Sequence, residues 1–293
     1  MILYGAPVKE EIKKELKRKV KKLKRKPMLV ILQVGDREDS NIYIKKKKEF
    51  GEEIGVRVIL KNLKIERLKD LGKKNLEKEI IKEIGKLNKD KNVDGIIVQL
   101  PLPKGLDTEK ILNKIGKKKD ADGLTSPLTS CSPLLEKERE NQEITLITPA
   151  TAKAVMRLLD FYKIPISDKK VVVIGQSILA GRPIADELEA KEAQVERCDS
   201  KTKNIPEIAR RADILVSAVG KVGLVTKDFV NKDQVVIDVG INRVDRKLVG
   251  DVAFDEVKLL VKAISPVPGG IGPLTVACLF ENLLDICYSD RNS

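Results

Sequence analysis

The chain has 293 residues and a formal net charge of +13, from 57 lysines and arginines against 44 aspartates and glutamates. It contains no histidine, which excludes serine–histidine–aspartate triads, cysteine–histidine pairs, histidine-bound metals and histidine acid–base catalysis. Tryptophan is absent and aromatic residues make up 3%, which argues against stacking platforms for single-stranded nucleic acid. At this length we expect two domains, because a single hydrophobic core rarely grows so large.

The first predicted element is a strongly basic helix between Lys9 and Lys26. Its apolar residues recur at spacings that place one narrow buried stripe on an otherwise solvated helix. The stripe consists of Ile12, Leu16, Val20 and Leu23. We interpret this segment as a basic surface helix. Nucleic-acid binding is the alternative, and a positive field would also attract a phosphorylated cofactor.

Short apolar runs then alternate with amphipathic segments. The predicted order is strand Met28–Val34, helix Asp39–Ile54, strand Val56–Leu60, helix Asn75–Leu87 and strand Gly95–Leu100. We expect Asp39 or Ser40 to cap the first of these helices and Gly55 to end it. Alternation of this kind predicts a parallel sheet covered by helices.

A second unit is predicted after a less regular stretch, 126–146. A helix opens at Thr148 and Pro149, and another resumes at Arg182 and Pro183. The predicted strands are Val171–Ile174, Gln194–Cys198, Ile214–Ala218 and Val235–Val239. This rhythm is typical of a doubly wound dinucleotide-binding fold.

The glycine turn after the first of these strands is a candidate phosphate site. Backbone N–H groups in such a turn, followed by a helix N-terminus, favour negative charge. The spacing from Gly175 to Gly181 is G-x-S-x-x-x-G rather than G-x-G-x-x-G, so the pattern alone leaves an ordinary strand-to-helix turn open. Its position after four consecutive β-branched residues favours the phosphate site.

Three prolines and three glycines are concentrated in Pro266–Thr275, with apolar residues on both sides. Glycines let a ligand approach the backbone closely, and prolines hold a loop rigid. The segment therefore indicates a surface shaped for a ligand. A tight strand-to-helix connection, with Pro273 in the first turn of a final helix, is the alternative.

The four cysteines show no C-x-x-C pairing, which indicates reduced thiols in a cytoplasmic protein rather than disulfides or a zinc site. The first five residues lead into a charged helix, so we expect no signal peptide. No apolar run approaches the length needed to span a membrane. We accordingly predict a cytoplasmic location, no membrane partner and no bound metal.

Taken together, the motifs resemble those of the bifunctional methylenetetrahydrofolate dehydrogenase/methenyltetrahydrofolate cyclohydrolases over essentially the whole chain. Seven blocks occur in the family's order. They are Ser40–Lys47, Asp94–Pro103, Lys119–Gly123, Gly175–Ser177 with Gly181–Pro183, Asp238–Asn242, Val249–Val252 and the Pro-Val-Pro-Gly-Gly loop from Pro266.

The resemblance implies a two-lobed α/β fold. It assigns residues 1–122 to a catalytic, folate-binding domain with an α/β fold. Residues 123–265 would form a Rossmann-like, doubly wound NAD(P)-binding domain. Residues 266–293 would supply a substrate loop and a C-terminal helix that returns to the first lobe. Family members bind folate in the cleft between the lobes and usually form homodimers through the second domain.

The implied activity is oxidation of 5,10-methylenetetrahydrofolate to the methenyl form with NADP, followed by hydrolysis to 10-formyltetrahydrofolate. These steps belong to one-carbon metabolism and supply purine biosynthesis. The resemblance makes Lys47 the key residue of the hydrolytic step, assisted by Tyr43 and Gln99, with Asp122 anchoring the pterin. Burial and nearby lysines would each lower the pKa of Lys47 and so favour acid–base work near neutral pH.

Further site residues follow from the same resemblance. Folate would also contact Leu100, Pro101, Pro268, Gly269 and Gly270. The cofactor-binding residues would be Gly175, Gln176, Ser177, Ser200, Lys201 and Ile241. Asp120 fits a structural role in its loop better than a role in binding.

Two positions depart from the family pattern and bear on the cofactor. Gln176 stands where many members have a basic or small residue, and Asp199 stands where a histidine is common. An acidic residue at Asp199 suits the ribose hydroxyl of NAD and would repel the 2′-phosphate of NADP. Ser200 and Lys201 favour NADP, which we predict as the cofactor, with NAD possible.

Two other functions stay open from the sequence. One is a monofunctional, NAD-dependent methylenetetrahydrofolate dehydrogenase or an inactive folate-binding relative. The other is a non-enzymatic, basic, nucleic-acid-associated protein with a Rossmann core, which salt-sensitive binding to duplex DNA would reveal.

Overall fold

The structure is a computed structural model that describes residues 1–63, 72–125, 147–245 and 247–289. The predicted irregular loop, 126–146, lies outside the described residues. The described chain divides into two compact units, and the division falls inside the first and last helices. The three-stranded unit comprises the described residues of 13–125, together with 147 and 279–289. The five-stranded unit comprises 1–12 and 148–278.

The first half of the chain alternates helices and strands. Its elements are α1 (Gly5–Lys21), β1 (Met28–Val34), α2 (Glu38–Ile54), β2 (Arg57–Leu63), α3 (Gly72–Lys89), β3 (Gly95–Val98) and α4 (Thr108–Leu112). β1 lies between β2 and β3, and both pair with it in parallel. This confirms the parallel sheet predicted from the apolar runs.

The last helix of the chain, α9 (Ile271–Ser289), completes the core of the three-stranded unit. The ring of Phe280 lies 5.4 Å from that of Phe50 in α2. The buried Asn282 donates a hydrogen bond from Nδ2 to the carbonyl oxygen of Ala121 at 3.1 Å. The predicted return of the C-terminal helix to the N-terminal sheet is thereby confirmed.

The second half of the chain forms the five-stranded unit. Its elements are α5 (Ala150–Phe161), β4 (Lys170–Ile174), α6 (Gly181–Ala190), β5 (Gln194–Cys198), α7 (Ile205–Arg210), β6 (Ile214–Ser217), β7 (Val235–Asp238), β8 (Asn242–Val244), β9 (Lys247–Val249), α8 (Phe254–Val257), β10 (Ala263–Ile264) and the start of α9. β8 and β9 form a separate antiparallel pair.

The main sheet of this unit has the order β10-β7-β6-β4-β5, and all its pairings are parallel. The chain runs from β4 to β5 on one side and then crosses to β6 on the other. The carboxyl ends of β4 and β6 therefore flank a topological switch point, which is where ligands bind in open α/β sheets. The doubly wound fold predicted for this half of the chain is confirmed.

Several local predictions were wrong. The basic helix α1 spans Gly5–Lys21 rather than Lys9–Lys26, so Leu23 lies beyond its end. Strand β2 spans Arg57–Leu63 rather than Val56–Leu60, and β6 and β7 each end one residue earlier than predicted.

The cap predicted for α2 was also wrong. Helix α2 begins at Glu38 behind Arg37, which makes no side-chain capping bond, so neither Asp39 nor Ser40 is the cap. The helix starts earlier because the N–H of Asn41 already bonds the carbonyl oxygen of Arg37 at 3.0 Å. The predicted stop at Gly55 is confirmed by its φ of +88°.

A further wrong prediction concerns the end of β3, which lies at Val98 rather than Leu100. Pro101 has no N–H to donate to the hydrogen bonds of the sheet, and it restricts the backbone conformation of the residue before it. The strand therefore cannot continue to Leu100. Strands β8, β9 and β10 and helices α4, α7 and α8 were not predicted, because they are short.

Helix α9 is long and apolar enough to cross a membrane by length and composition, and no other helix in the described ranges meets that test. This corrects the expectation that no apolar segment approaches that length. However, 67% of its most apolar window is buried inside the protein, as in the core helix of a globular fold.

Candidate active site and cofactor site

Helix α2 carries Tyr43 and Lys47 one turn apart, so both project from the same face. The Nζ of Lys47 donates a hydrogen bond to Oε1 of Gln99, just beyond β3, at 3.0 Å. Lys47 is half-buried, whereas the neighbouring Lys46 and Lys48 are exposed. A single lysine of a basic run is thus placed against a polar partner from the sheet.

Burial and a neighbouring charge act in opposite directions on the pKa of Lys47. Burial lowers the pKa of Lys47, and the nearby carboxylate of Asp122 raises it by a smaller amount. Burial also raises the pKa of Asp122, against the effect of the Lys47 ammonium. The predicted effect of burial is confirmed, whereas the predicted effect of the neighbouring lysines does not appear, and the charge that acts on Lys47 is the opposing one of Asp122. The two groups influence each other electrostatically and so belong to one site in the three-stranded unit.

Backbone geometry fixes the other two members of this site. Nε2 of Gln99 donates to the carbonyl oxygen of Leu100 at 2.8 Å, which orients Oε1 toward Lys47. The buried carboxylate of Asp120 accepts backbone N–H groups from Asp122 at 3.1 Å and from Thr125 at 2.7 Å. Asp120 therefore structures the turn that presents Asp122, as predicted.

In the five-stranded unit, the loops after β4 and β6 approach each other closely. Gly175 has a φ of +94°, and a Cβ there would overlap the carbonyl oxygen of Ala218. A Cβ at Gly181 would overlap the carbonyl oxygen of Gly175. Only glycine permits this turn, which ends at the N-terminus of α6 beside the switch point. These features fit a dinucleotide, whose pyrophosphate binds at such a turn.

The remaining cofactor candidates also lie at this edge of the sheet. Gln176 Nε2 donates back to the carbonyl oxygen of Val173 at 3.1 Å, while Ser177 is exposed. Ser200 and Lys201 are exposed in the turn after β5. Ile241, after β7, is 40% exposed and so is open to contact with a ligand at this edge.

Asp199 lies in the turn after β5, and its carboxylate is hydrogen-bonded within that turn. Its carboxylate accepts the backbone N–H of Lys201 at 2.8 Å and the hydroxyl of Thr202 at 3.3 Å. The Lys201 hydrogen bond leads the effects that lower the pKa of Asp199, so the group is ionised at neutral pH. The carboxylate of Asp199 thus holds the backbone of Lys201 in this turn.

The proline- and glycine-rich segment forms the turn before α9. Gly269 has a φ of +110°, and its carbonyl oxygen accepts the N–H of Gly5 at 2.7 Å. The Cδ1 of Ile241 lies 3.4 Å from the position of a Cβ on Gly272. Pro268, Gly269 and Gly270 thus lie in the five-stranded unit, whereas Tyr43, Lys47, Gln99, Leu100, Pro101 and Asp122 lie in the three-stranded unit.

Two buried carboxylates, Asp238 and Asp251, lie within the motifs that the chain shares with the family, but the sequence alone assigned them no role. Both lie beside glycines that leave no room for a side chain, Gly240 and Gly250. The adjacent glycines were the available signal. Within the described ranges, no group of three histidine, cysteine, aspartate or glutamate side chains could hold a metal ion.

The fold and these two sets of residues define a two-domain α/β protein of the dinucleotide-binding class. One family model, described as tetrahydrofolate dehydrogenase/cyclohydrolase, catalytic domain, matches residues 3–122. A second, the NAD(P)-binding domain of the same family, matches residues 149–291. The chain belongs to the tetrahydrofolate dehydrogenase/cyclohydrolase family, so the resemblance inferred from its motifs is confirmed.

Individual relatives match over nearly the full length. The chain is 42% identical to the bifunctional protein FolD of Acholeplasma laidlawii over 283 residues, covering 97% of this chain and 96% of that protein. The FolD methylenetetrahydrofolate dehydrogenase/cyclohydrolase structure from Campylobacter jejuni has a TM-score of 0.87 at 36% identity, with 100% and 99% coverage. The Trypanosoma brucei FolD structure, complexed with NADP and an inhibitor, has a TM-score of 0.85 at 33% identity, with 100% and 99% coverage.

Proposed function

We propose that this protein oxidises 5,10-methylenetetrahydrofolate to 5,10-methenyltetrahydrofolate with NADP and hydrolyses the product to 10-formyltetrahydrofolate. The observation that carries this proposal is the Lys47–Gln99 hydrogen bond beside the Asp122 carboxylate. The same chain holds a dinucleotide-type sheet, and its relatives of similar length are named as bifunctional enzymes.

In the oxidative step the protein's main contribution is to align the folate with the cofactor, because the cofactor itself supplies the hydride chemistry. Bound NADP would accept a hydride from the methylene carbon, which leaves a methenyl cation on the folate. The chain's task is to hold and orient the cofactor. We assign that task to Gly175, Gln176, Ser177, Ser200, Lys201 and Ile241.

The hydrolytic step adds water to the methenyl carbon, breaks one carbon–nitrogen bond of the ring and releases a proton. The lowered pKa of Lys47 increases the fraction of neutral amine available to accept a proton at a given pH. Gln99 holds the amine, and Tyr43 lies one helical turn away. Asp122 would accept hydrogen bonds from the amino and ring nitrogens of the pterin.

The wider substrate-contacting set stays a prediction. It comprises Leu100, Pro101, Pro268, Gly269 and Gly270, in addition to the residues above. The functional division into 1–122, 123–265 and 266–293 is likewise a proposal, as is the assignment of Lys47, Tyr43, Gln99 and Asp122 as catalytic residues.

NADP is the proposed cofactor, and NAD is the alternative. The hydrogen bond between Asp199 and the N–H of Lys201 supports NADP, because it engages the carboxylate and leaves the exposed ammonium of Lys201 available to a 2′-phosphate. A free carboxylate aimed at a ribose would instead favour NAD.

We further propose a homodimer in the cytoplasm, with a folate as small-molecule partner and neither nucleic acid nor membrane as a partner. β5 forms an edge of the five-stranded sheet and could pair with a second copy. Light scattering behind a sizing column tests the dimer, and a mass of one chain across the micromolar range contradicts it.

The first experiment mixes purified protein with methylenetetrahydrofolate and either NADP or NAD, following reduced nicotinamide and methenyl absorbance together. Reduction without methenyl accumulation supports both activities, and lasting accumulation leaves a monofunctional dehydrogenase. No reduction with either cofactor refutes the oxidoreductase function.

A variant pair then tests the assignment of Lys47. Lys47→Gln should abolish methenyl hydrolysis while retaining hydride transfer. Lys48→Gln, an exposed neighbour on the same helix, should leave both steps intact. Equal retention of both steps in Lys47→Gln would remove its assigned role.

A further inference from the structure

A single buried carboxylate holds the loop that follows β6. Asp251 is fully buried, and its Oδ2 accepts the backbone N–H of Val219 at 2.7 Å and of Gly220 at 3.2 Å. Its Oδ1 accepts the N–H of Lys221 at 2.8 Å. Three consecutive N–H groups that converge in this way form an anion-binding concavity. The anion here is a side chain of the protein itself.

The same carboxylate reaches the segment that follows β7. Oδ1 of Asp251 accepts Nδ2 of Asn242 at 3.3 Å, and Oδ2 accepts the hydroxyl of Ser217, the last residue of β6, at 3.0 Å. A Cβ on Gly240 would overlap this carboxylate. The exposed Ile241 is therefore flanked on both sides by residues that contact Asp251.

A second buried carboxylate fixes the position of the first. Asp238 accepts the backbone N–H of Asp251 and that of Val252, both at 3.0 Å. A Cβ on Gly250 would overlap Asp238. The carboxylate of Asp251 thus packs against Gly240, and that of Asp238 packs against Gly250. Together the two aspartates connect the end of β7 to the chain that follows β9.

We propose that Asp251 is a positioning residue of the cofactor site, which sets the backbone of Val219–Lys221 and the placement of Ile241 without contacting the cofactor. The inference rests on the proposed function. It follows from location, because both loops leave the carboxyl ends of β6 and β7. Gly175 occupies the corresponding edge of β4, where the switch point lies.

The chemistry of the site explains why an aspartate is required. Both carboxylate oxygens face N–H donors, Val219 and Gly220 on one side and Lys221 and Asn242 on the other. An asparagine has the same shape, but in either orientation its NH₂ group would face at least one backbone N–H. A buried donor left without an acceptor is costly, so the loop would have to move.

The test compares Asp251→Asn with Asp213→Asn. Asp213 also accepts a backbone N–H, from Lys170 at 2.9 Å, but at the opposite edge of the same sheet. In cofactor-free protein, we expect amide hydrogens of Val219–Lys221 to exchange at least tenfold faster in Asp251→Asn. Calorimetry should show NADP binding at least tenfold weaker. Hydrolysis of added methenyltetrahydrofolate should stay within twofold, and Asp213→Asn should match the wild type in all three measurements.

Two outcomes would overturn the positioning role. One is unchanged exchange and affinity in folded Asp251→Asn. The other is a parallel loss of NADP binding and hydrolysis with a lowered melting temperature, which would mean a merely structural role.

If Asp251→Asn does not fold, Asn242→Ala provides a second test, because it removes the Nδ2 donor from Oδ1 of Asp251. It should weaken NADP binding at least threefold, and unchanged binding would overturn the inference. A wild-type protein that reduces neither cofactor refutes the proposed function, whereas an active wild type with unaltered variants refutes only this inference.

Discussion

The Nζ of Lys47 and the Oε1 of Gln99 are joined by a 3.0 Å hydrogen bond between residues 52 positions apart in the chain. One comes from the middle of α2 and the other from the residue after β3. Because Nε2 of Gln99 is bonded to the carbonyl oxygen of Leu100, its Oε1 is aimed at the amine. The pair therefore presents a lysine whose position is set by the sheet rather than by the helix alone.

The titration of Lys47 should respond to Asp122. Burial lowers the pKa of Lys47 and Asp122 raises it, so Asp122→Asn should lower that pKa further. NMR titration of ¹³C-labelled lysine side chains would measure the shift, with Lys47→Gln used to assign the signal. A Lys47 pKa that rises or stays constant in Asp122→Asn would contradict the placement of the two charges.

Lys201 should discriminate between NADP and NAD. Loss of its charge in Lys201→Gln should raise KM for NADP about tenfold, or about 1.4 kcal/mol, because a charge-assisted contact to the 2′-phosphate is lost. KM for NAD should change little. Lys203→Gln, which alters an exposed lysine of the same turn, serves as the control. Equal effects of Lys201→Gln on both cofactors would argue against a 2′-phosphate contact.

Gly175 should tolerate no side chain. Gly175→Ala places a Cβ at a φ of +94° against the carbonyl oxygen of Ala218. We expect a loss of about 1–3 kcal/mol in the free energy of unfolding, together with weaker cofactor binding. Gly85→Ala, within α3 and with open space around its Cβ position, should instead stabilise by about 0.5–1 kcal/mol. Urea unfolding of both variants checks this, and similar values would contradict it.

Asp238 should make the free energy of unfolding depend on pH. Burial, with a smaller effect from Asp251, raises the pKa of Asp238 from 3.8 to about 7, against hydrogen bonds from the backbone of Val252, Asp251 and Gly240. Between about pH 4 and 7 the folded protein binds a proton that the unfolded chain does not. Stability therefore falls as the pH rises through this window, by up to about 1.4 kcal/mol per pH unit, and this contribution is constant above it.

The measurement compares urea unfolding of the wild type and Asp238→Asn at several pH values. The variant should be less stable throughout, because its amide faces backbone N–H donors, but the difference between the two proteins should shrink as the pH rises toward 7. A difference that is independent of pH would show that Asp238 does not titrate in this window.

Much of the fold could be predicted because its signals are local. The apolar run of β1 and the β-branched run of β4 predict buried parallel strands, and alternation with amphipathic helices predicts the layered sheets. The positions of Gly55 and Gly175 mark a helix end and a tight turn for the same reason, since only glycine readily adopts a positive φ. The short strands β8 to β10 carry too few residues for any periodicity to appear.

The sequence by itself determined the alternation of elements, the glycine turns and, through its motifs, the family, and it predicted the site residues. Only the tertiary structure decided how these residues act on one another. Burial and the charge of Asp122 distinguish Lys47 from its neighbours in a lysine run, and both depend on packing rather than on order in the chain. The Asp251 carboxylate gathers N–H groups from residues 30 to 32 positions away, which no local pattern encodes.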